Sequence, residues 1–239
     1  MAVRGAVAEK HLENIVDSLK KRGKIDGYRC AAGDLDKDFY LQIKGKEISL
    51  ECKNIEVIKI TKKLEKIRYI KYLAQQGLIK PCSSASTLSK ILAVSSAKDI
   101  KEISVAEIDA QIKQLPQDCR ESGLMKYEYS ACQIHVPQVG KIPDKEFVAQ
   151  FNQNPLTIDF QRTRNSTDKD GDTKRNRFYK VGEIDIVGAC LFSRTMEWKF
   201  LFAKAHNFIK HSKYNDRYIN TLKLAPGVWT CDLLALLES

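Results

Sequence analysis

The chain opens with apolar residues at helical spacing. Val7, Leu12, Ile15, Val16 and Leu19 recur every three to four positions, which predicts a helix over 3–21 with Gly23 as its stop. The pattern then changes to alternation. Tyr28 to Ala32 reads as a short strand, and 33–37 as a turn. The runs Asp-Phe-Tyr-Leu-Gln-Ile and Ile-Ser-Leu-Glu-Cys-Lys flank Lys-Gly-Lys-Glu, which predicts a hairpin over 38–53. Helical spacing returns in Ile58, Ile60, Leu64, Ile67, Ile70 and Leu73. These alternate with Lys59, Lys62, Lys63, Lys66, Arg68 and Lys71, so an amphipathic helix with a basic face is expected. Leu88 to Val94 fits either a strand or a helix. Val105 to Leu115 reads as a helix ended by Pro116, Tyr127 to Val136 as a strand, and Pro143 to Phe151 as a short helix. Arg177 to Phe202 is a second, strongly apolar hairpin with its turn at Ser193–Met196. Val228 to Leu237 reads as a closing helix. The expected fold class is α/β (α+β), a mixed central β-sheet flanked by helices.

Composition narrows the class. With 239 residues and 43% apolar content, one globular domain spanning 1–239 is expected. No apolar run is long enough to cross a membrane or to serve as a signal peptide, so a cytoplasmic protein without membrane partners is expected. The seven cysteines form no Cys-x-x-Cys pair, and the four histidines are scattered, which argues against a zinc site. A formal net charge of +10 points to a polyanionic partner, of which nucleic acid is the commonest. There is no Gly-x-x-x-x-Gly-Lys-Ser/Thr loop and no Gly-x-Ser-x-Gly elbow, which speaks against nucleotide-driven chemistry and serine hydrolysis.

The candidate chemistry lies in the first hairpin. Alternation puts Glu51 and Lys53 on one face of a strand and Cys52 on the other. A turn centred on Gly45 sets Asp38 across from about Cys52, close to both. Two carboxylates and an ammonium then share one spot. Such a pair suits Mg²⁺, which binds through one or two carboxylates and keeps waters and substrate phosphate oxygens. Glu9 and Glu13 lie along one side of the first helix, where a carboxylate can point at the hairpin. The acid-x-Lys triplet itself is common in so charged a chain: Asp99-Ile-Lys101, Asp172-Thr-Lys174 and Glu197-Trp-Lys199 also fit. In the second hairpin, however, Glu197 belongs beside the turn and Asp185 at the far strand end, on the order of 20 Å away at 3.3 Å per residue.

Two basic stretches are candidate DNA contacts. The loop from Phe160 to Lys180 carries Arg162, Arg164, Asn165, Lys174, Arg175 and Arg177, the side-chain types that read base edges. Lys62, Lys63 and Lys66 lie on the basic helix face, suited to a phosphate backbone. Asp168, Asp170 and Asp172 mimic the start of a calcium loop but lack its closing Glu.

A helix with an acid (Glu9), an Asp opening a strand (Asp38) and Glu51-Cys52-Lys53 ending the next resembles the PD-(D/E)XK nuclease superfamily. The run Arg-Phe-Tyr-Lys-Val-Gly-Glu-Ile-Asp-Ile-Val-Gly-Ala-Cys-Leu-Phe, with the later Glu-Trp-Lys-Phe-Leu-Phe, is similar to the C-terminal half of bacterial type II restriction endonucleases. The resemblance implies a restriction-endonuclease-like core and Mg²⁺-dependent cleavage of double-stranded DNA at a short sequence. It implies Asp38 and Glu51 as metal ligands, Lys53 as base or water-positioning group and Glu9 as an auxiliary acid. Residues 81–180 would carry DNA-recognition insertions. A homodimer and a cognate DNA methyltransferase would accompany the enzyme. The family's Pro-Asp pair is missing, since Lys37 precedes Asp38; hairpin spacing favours Asp38 as ligand, with Asp36 second.

Overall fold

The computed structural model describes residues 2–33, 36–57, 59–120, 123, 125–133, 155–162, 171–225 and 227–239. The expected helix over 143–151, together with Arg164, Asn165, Asp168 and Asp170, lies outside them.

Helix α1 (Ala2–Lys21) buries Ala8, Leu12, Val16 and Leu19, one stripe at helical spacing. Gly23 ends it at φ 66, a left-handed conformation that glycine adopts without a Cβ clash. Strands β1 (Gly27–Cys30), β2 (Phe39–Ile43) and β3 (Lys46–Asn54) then form an antiparallel meander. The β2–β3 turn has two residues, Lys44 at φ 48 and Gly45 at φ 76, the paired positive φ of a type I′ turn. The register is Ile43↔Lys46 through Phe39↔Leu50. One further step sets Asp38 opposite Glu51, not Cys52. The expected register was off by one because the turn is centred between Lys44 and Gly45.

Strand β5 (Ile186–Cys190) pairs parallel with β3, and β6 (Phe200–Lys204) pairs antiparallel with β5. The result is a five-stranded mixed sheet in the order β1-β2-β3-β5-β6. The β5–β6 connection is longer than a tight turn and contains the one-turn helix α7 (Phe192–Thr195). Asp185 marks the start of β5: its Oδ2 accepts from Ser49 N at 2.8 Å and Ser49 Oγ at 2.7 Å, tying β5 to β3.

One sheet face packs on α1 and on α8 (Leu233–Glu238), which starts later than the expected 228. Leu50, Cys52, Ile186, Cys190 and Phe202 belong to that core. The other face, with Ile55, Val187, Ala189 and Leu201, packs on Phe160, Tyr179, Tyr218 and Trp229 and on the small sheet β4 (Thr157–Asp159) with β7 (Thr221–Lys223).

The chain divides into two compact units, one of residues 1–56 and 134–239, the other of 57–133. The expected insertion range, 81–180, includes parts of both. The second unit is helical: α2 (Lys63–Gln75), α3 (Thr87–Ala93), α4 (Ala97–Glu102), α5 (Val105–Gln114) and α6 (Met125–Gln133). Helices α3, α4 and α5 each begin at a serine whose hydroxyl accepts a backbone N–H three residues on. Helix α2 begins at Lys63, so Lys59 and Lys62 precede it. The Tyr127 stretch is helical as far as Gln133, not a strand. Met125 and Tyr129, one turn apart, join one core, where Tyr129 meets the rings of Tyr69 and Tyr72 at 5.1 and 5.2 Å.

Candidate functional site

Strand β3 carries Glu51 on the sheet face that β4 and β7 cover, and burial leaves Glu51 only 6% exposed. Removing a carboxylate from water is costly unless its oxygens find partners. Oε1 finds two: Lys53 Nζ donates to it at 2.7 Å, and the Tyr179 hydroxyl donates to it at 2.5 Å. Oε2 is buried and, among the described residues, has no hydrogen-bond partner. Asp38 lies where β2 gives out. Its Oδ2 accepts the Cys52 N–H at 2.6 Å, a donor that the shortened β2 would otherwise leave unpaired.

The charges act on one another. Burial pushes the Asp38 carboxyl up to about 7; the Glu51 carboxylate adds to the rise and the Cys52 N–H opposes it. Glu9 is also raised, first by burial and then by Glu51. It lines an open depression of about 230 Å³ together with Asp38 and Phe39. Burial alone would push Lys53 down, but Glu51 and Tyr179 outweigh it and the ammonium is held above its ordinary range. Tyr179 is raised by burial and by Glu51.

The sequence-predicted Glu9, Asp38, Glu51 and Lys53 thus influence one another in one place. Asp36, the second choice, is spent elsewhere: its Oδ2 accepts Ala32 N at 2.9 Å, closing its own loop. Glu13 pairs with Lys10 at 2.7 Å. Among the described residues no three His, Cys, Asp or Glu side chains form a ready cage for a metal ion. The arrangement is instead two carboxylates that repel one another, Glu51 keeping an oxygen unspent among the described residues. A cation seated on it would complete its shell with water and substrate oxygens, the mode that Mg²⁺ prefers. The buried, unpartnered Oε2 of Glu51 fits such an ion.

Sequence reading missed three neighbours. Tyr179 is one. The others are Lys37 and Glu183, joined at 2.7 Å, with Arg162 also on Glu183 Oε1. Lys37, Lys53 and Arg162 stand 5.6, 5.2 and 5.1 Å from the Tyr179 ring centroid. Tyr179 carries no motif; only its place in an aromatic pair beside an apolar strand could have flagged it. A cavity of about 510 Å³, lined by Ile43, Ile48, Ile186 and Leu236, lies toward the hairpin turn. It is a different place, since Ile48 is about 10 Å along β3 from Glu51.

The predicted DNA contacts fare differently. Arg162 is largely buried in its pair with Glu183, and Arg175 is bonded to Asp216 at 2.7 Å. Lys174 and Arg177 are exposed, and Arg177 Nε donates to Arg162 O. In the second unit Lys62 is exposed, Lys63 is half-buried, and Lys66 pairs with Asp109 at 2.5 Å. Comparison with protein-family models, with curated proteins and with solved structures finds no match to this chain.

Proposed function

We propose that this chain is a Mg²⁺-dependent endonuclease with a restriction-endonuclease-like core, cleaving double-stranded DNA at a short sequence as a type II site-specific deoxyribonuclease. The observation that carries the reading is the buried Glu51 carboxylate with one oxygen unspent, set beside Asp38, Glu9 and the Lys53 ammonium. Asp38 and Glu51 Oε2 would hold the ion. When bound, Mg²⁺ supplies charge stabilisation at a phosphate and a more acidic water. Lys53, kept protonated by its acidic partners, serves to orient the attacking water and to offset charge on the phosphate rather than to abstract a proton. Glu9 is an auxiliary acid on the solvent side. The net charge of +10 suits a DNA backbone. A palindromic target would call for a two-fold dimer, and host protection for a DNA methyltransferase.

The test is incubation of the protein with phage DNA and Mg²⁺. Discrete fragments that disappear in Glu51→Gln and Lys53→Ala support the reading. No cutting, or cutting unchanged in both variants, overturns it. Structure-dependent cutting without sequence preference would select a repair or junction nuclease. Salt-sensitive binding without cutting would select a non-catalytic DNA-binding protein.

A further inference from the structure

Glu51 has two oxygens, and among the described residues only one is engaged. The terminal torsion of a glutamate is broad, so a single hydrogen bond leaves the carboxylate free to turn and exchange its oxygens. Lys53 is a flexible partner on the same strand. Tyr179 is a rigid one, 128 residues away in sequence. Its side chain is 4% exposed, its ring packs on Phe160 with centroids 4.8 Å apart, and its carbonyl accepts Tyr218 N at 3.0 Å. Its ring is also ringed by cations: Lys53 Nζ at 5.2 Å, Lys37 Nζ at 5.6 Å and Arg162 Cζ at 5.1 Å. Lys37 and Arg162 are in turn held by Glu183. The phenol therefore reaches Glu51 from a fixed direction.

We propose that Tyr179 is a positioning residue for a divalent cation: its O–H occupies Glu51 Oε1 and so dedicates Glu51 Oε2 to the ion. The class of ion rests on the nuclease reading. The same contact limits Lys53, because both share Oε1. A side chain that holds a metal ligand in place in this way governs affinity for the ion without touching it.

Tyr179→Phe tests this, since it keeps the ring, its packing and its cation contacts and deletes only the hydroxyl. Mn²⁺ is titrated calorimetrically into the DNA-free protein. The expected result is binding about 10- to 100-fold weaker than wild type. At limiting Mg²⁺ the cleavage rate falls by a similar factor with KM for DNA within about twofold, and excess Mg²⁺ restores it. In a Glu51→Gln background the same substitution weakens residual binding less than about twofold further, because the hydroxyl acts on the ion through the Glu51 carboxylate. Mn²⁺ binding within about twofold of wild type, or a rate loss that excess Mg²⁺ does not restore, overturns the assignment. Wild-type cleavage with normal Mn²⁺ binding by Tyr179→Phe overturns the positioning role alone. Weakened Mn²⁺ binding in the variant, with no DNA cut by either protein, supports the positioning role and overturns the nuclease reading.

Discussion

Two acid-x-Lys triplets occupy comparable places in this chain, each at one end of a strand of the same sheet, and each closes on itself as an ion pair. Glu51 and Lys53 do so with side chains 7% and 18% exposed; Glu197 and Lys199 do so at 57% and 38%. The exposed pair is solvated, screened and of little consequence for stability, about 0–1 kcal/mol. Trp198 between its members packs inward on Phe192 and His11, with centroids 4.1 and 4.6 Å away. The buried pair has Tyr179 on one side, Asp38 at the Cys52 amide on the other, and an oxygen left over. The same three-residue pattern is thus ordinary surface in one place and a poised carboxylate in the other. Enclosure and a second acid make the difference.

The comparison breaks most directly by exchanging the acids. Glu51→Gln is expected to lower Mg²⁺-dependent DNA cleavage about a thousandfold or more, and Glu197→Gln to leave it within about twofold, as read from initial rates on plasmid DNA. Equal effects would put the site elsewhere. The lysines follow: Lys53→Ala is expected to cost about a hundredfold to a thousandfold, and Lys199→Ala almost nothing, in the same assay.

The region of the second triplet has a buried orphan of its own. Arg194, in α7, is 4% exposed, its Nε and Nη2 have no hydrogen-bond partner among the described residues, and burial pulls its guanidinium down to about 10. Among the described residues no carboxylate answers it, so the charge is a cost at neutral pH. A base whose folded value is depressed adds stability only above its unfolded value and loses it as pH falls through the folded one. Arg194→Met is therefore expected to raise stability by about 1–3 kcal/mol in urea melts at pH 7 and to leave cleavage unchanged.

Asp38 gives the smallest and most conditional effect. Its folded value, near 7, is raised above the unfolded one, so its contribution is complete below about pH 4 and is lost as pH rises through 7 in the metal-free protein. Asp38→Asn should flatten that decline. At pH 8 without metal it is expected to melt about 2–4 °C above wild type, as each kcal/mol shifts Tm by about that much in a chain of this size. Added Mg²⁺ should raise the wild-type Tm and leave that of Asp38→Asn nearly unmoved. A variant that melts lower at pH 8 would show that Asp38 does not sit among like charges.

The hairpin and its charged face were legible because strand alternation and a Gly-containing turn are local rules; Glu51, Lys53 and the opposite apolar face of Cys52 follow from them directly. Asp38 was legible only to within one residue, since the pairing depends on whether the turn has two residues or three. The strand expected at Tyr127 failed for a related reason. A short stretch of aromatic and small residues satisfies both periods, and packing of Tyr129 on Tyr69 and Tyr72 selected the helix.

Local order alone, then, determined the first helix, the meander and the charged face of β3, because each depends on neighbours a few positions apart. What each charge does was decided by tertiary structure. Tyr179 meets Glu51 across 128 residues, Lys37 meets Glu183 across 146, and Arg175 is taken up by Asp216 across 41. Whether a carboxylate ends up solvated, paired or buried with an oxygen to spare depends on what the remote chain brings to it, and no spacing rule reaches that far.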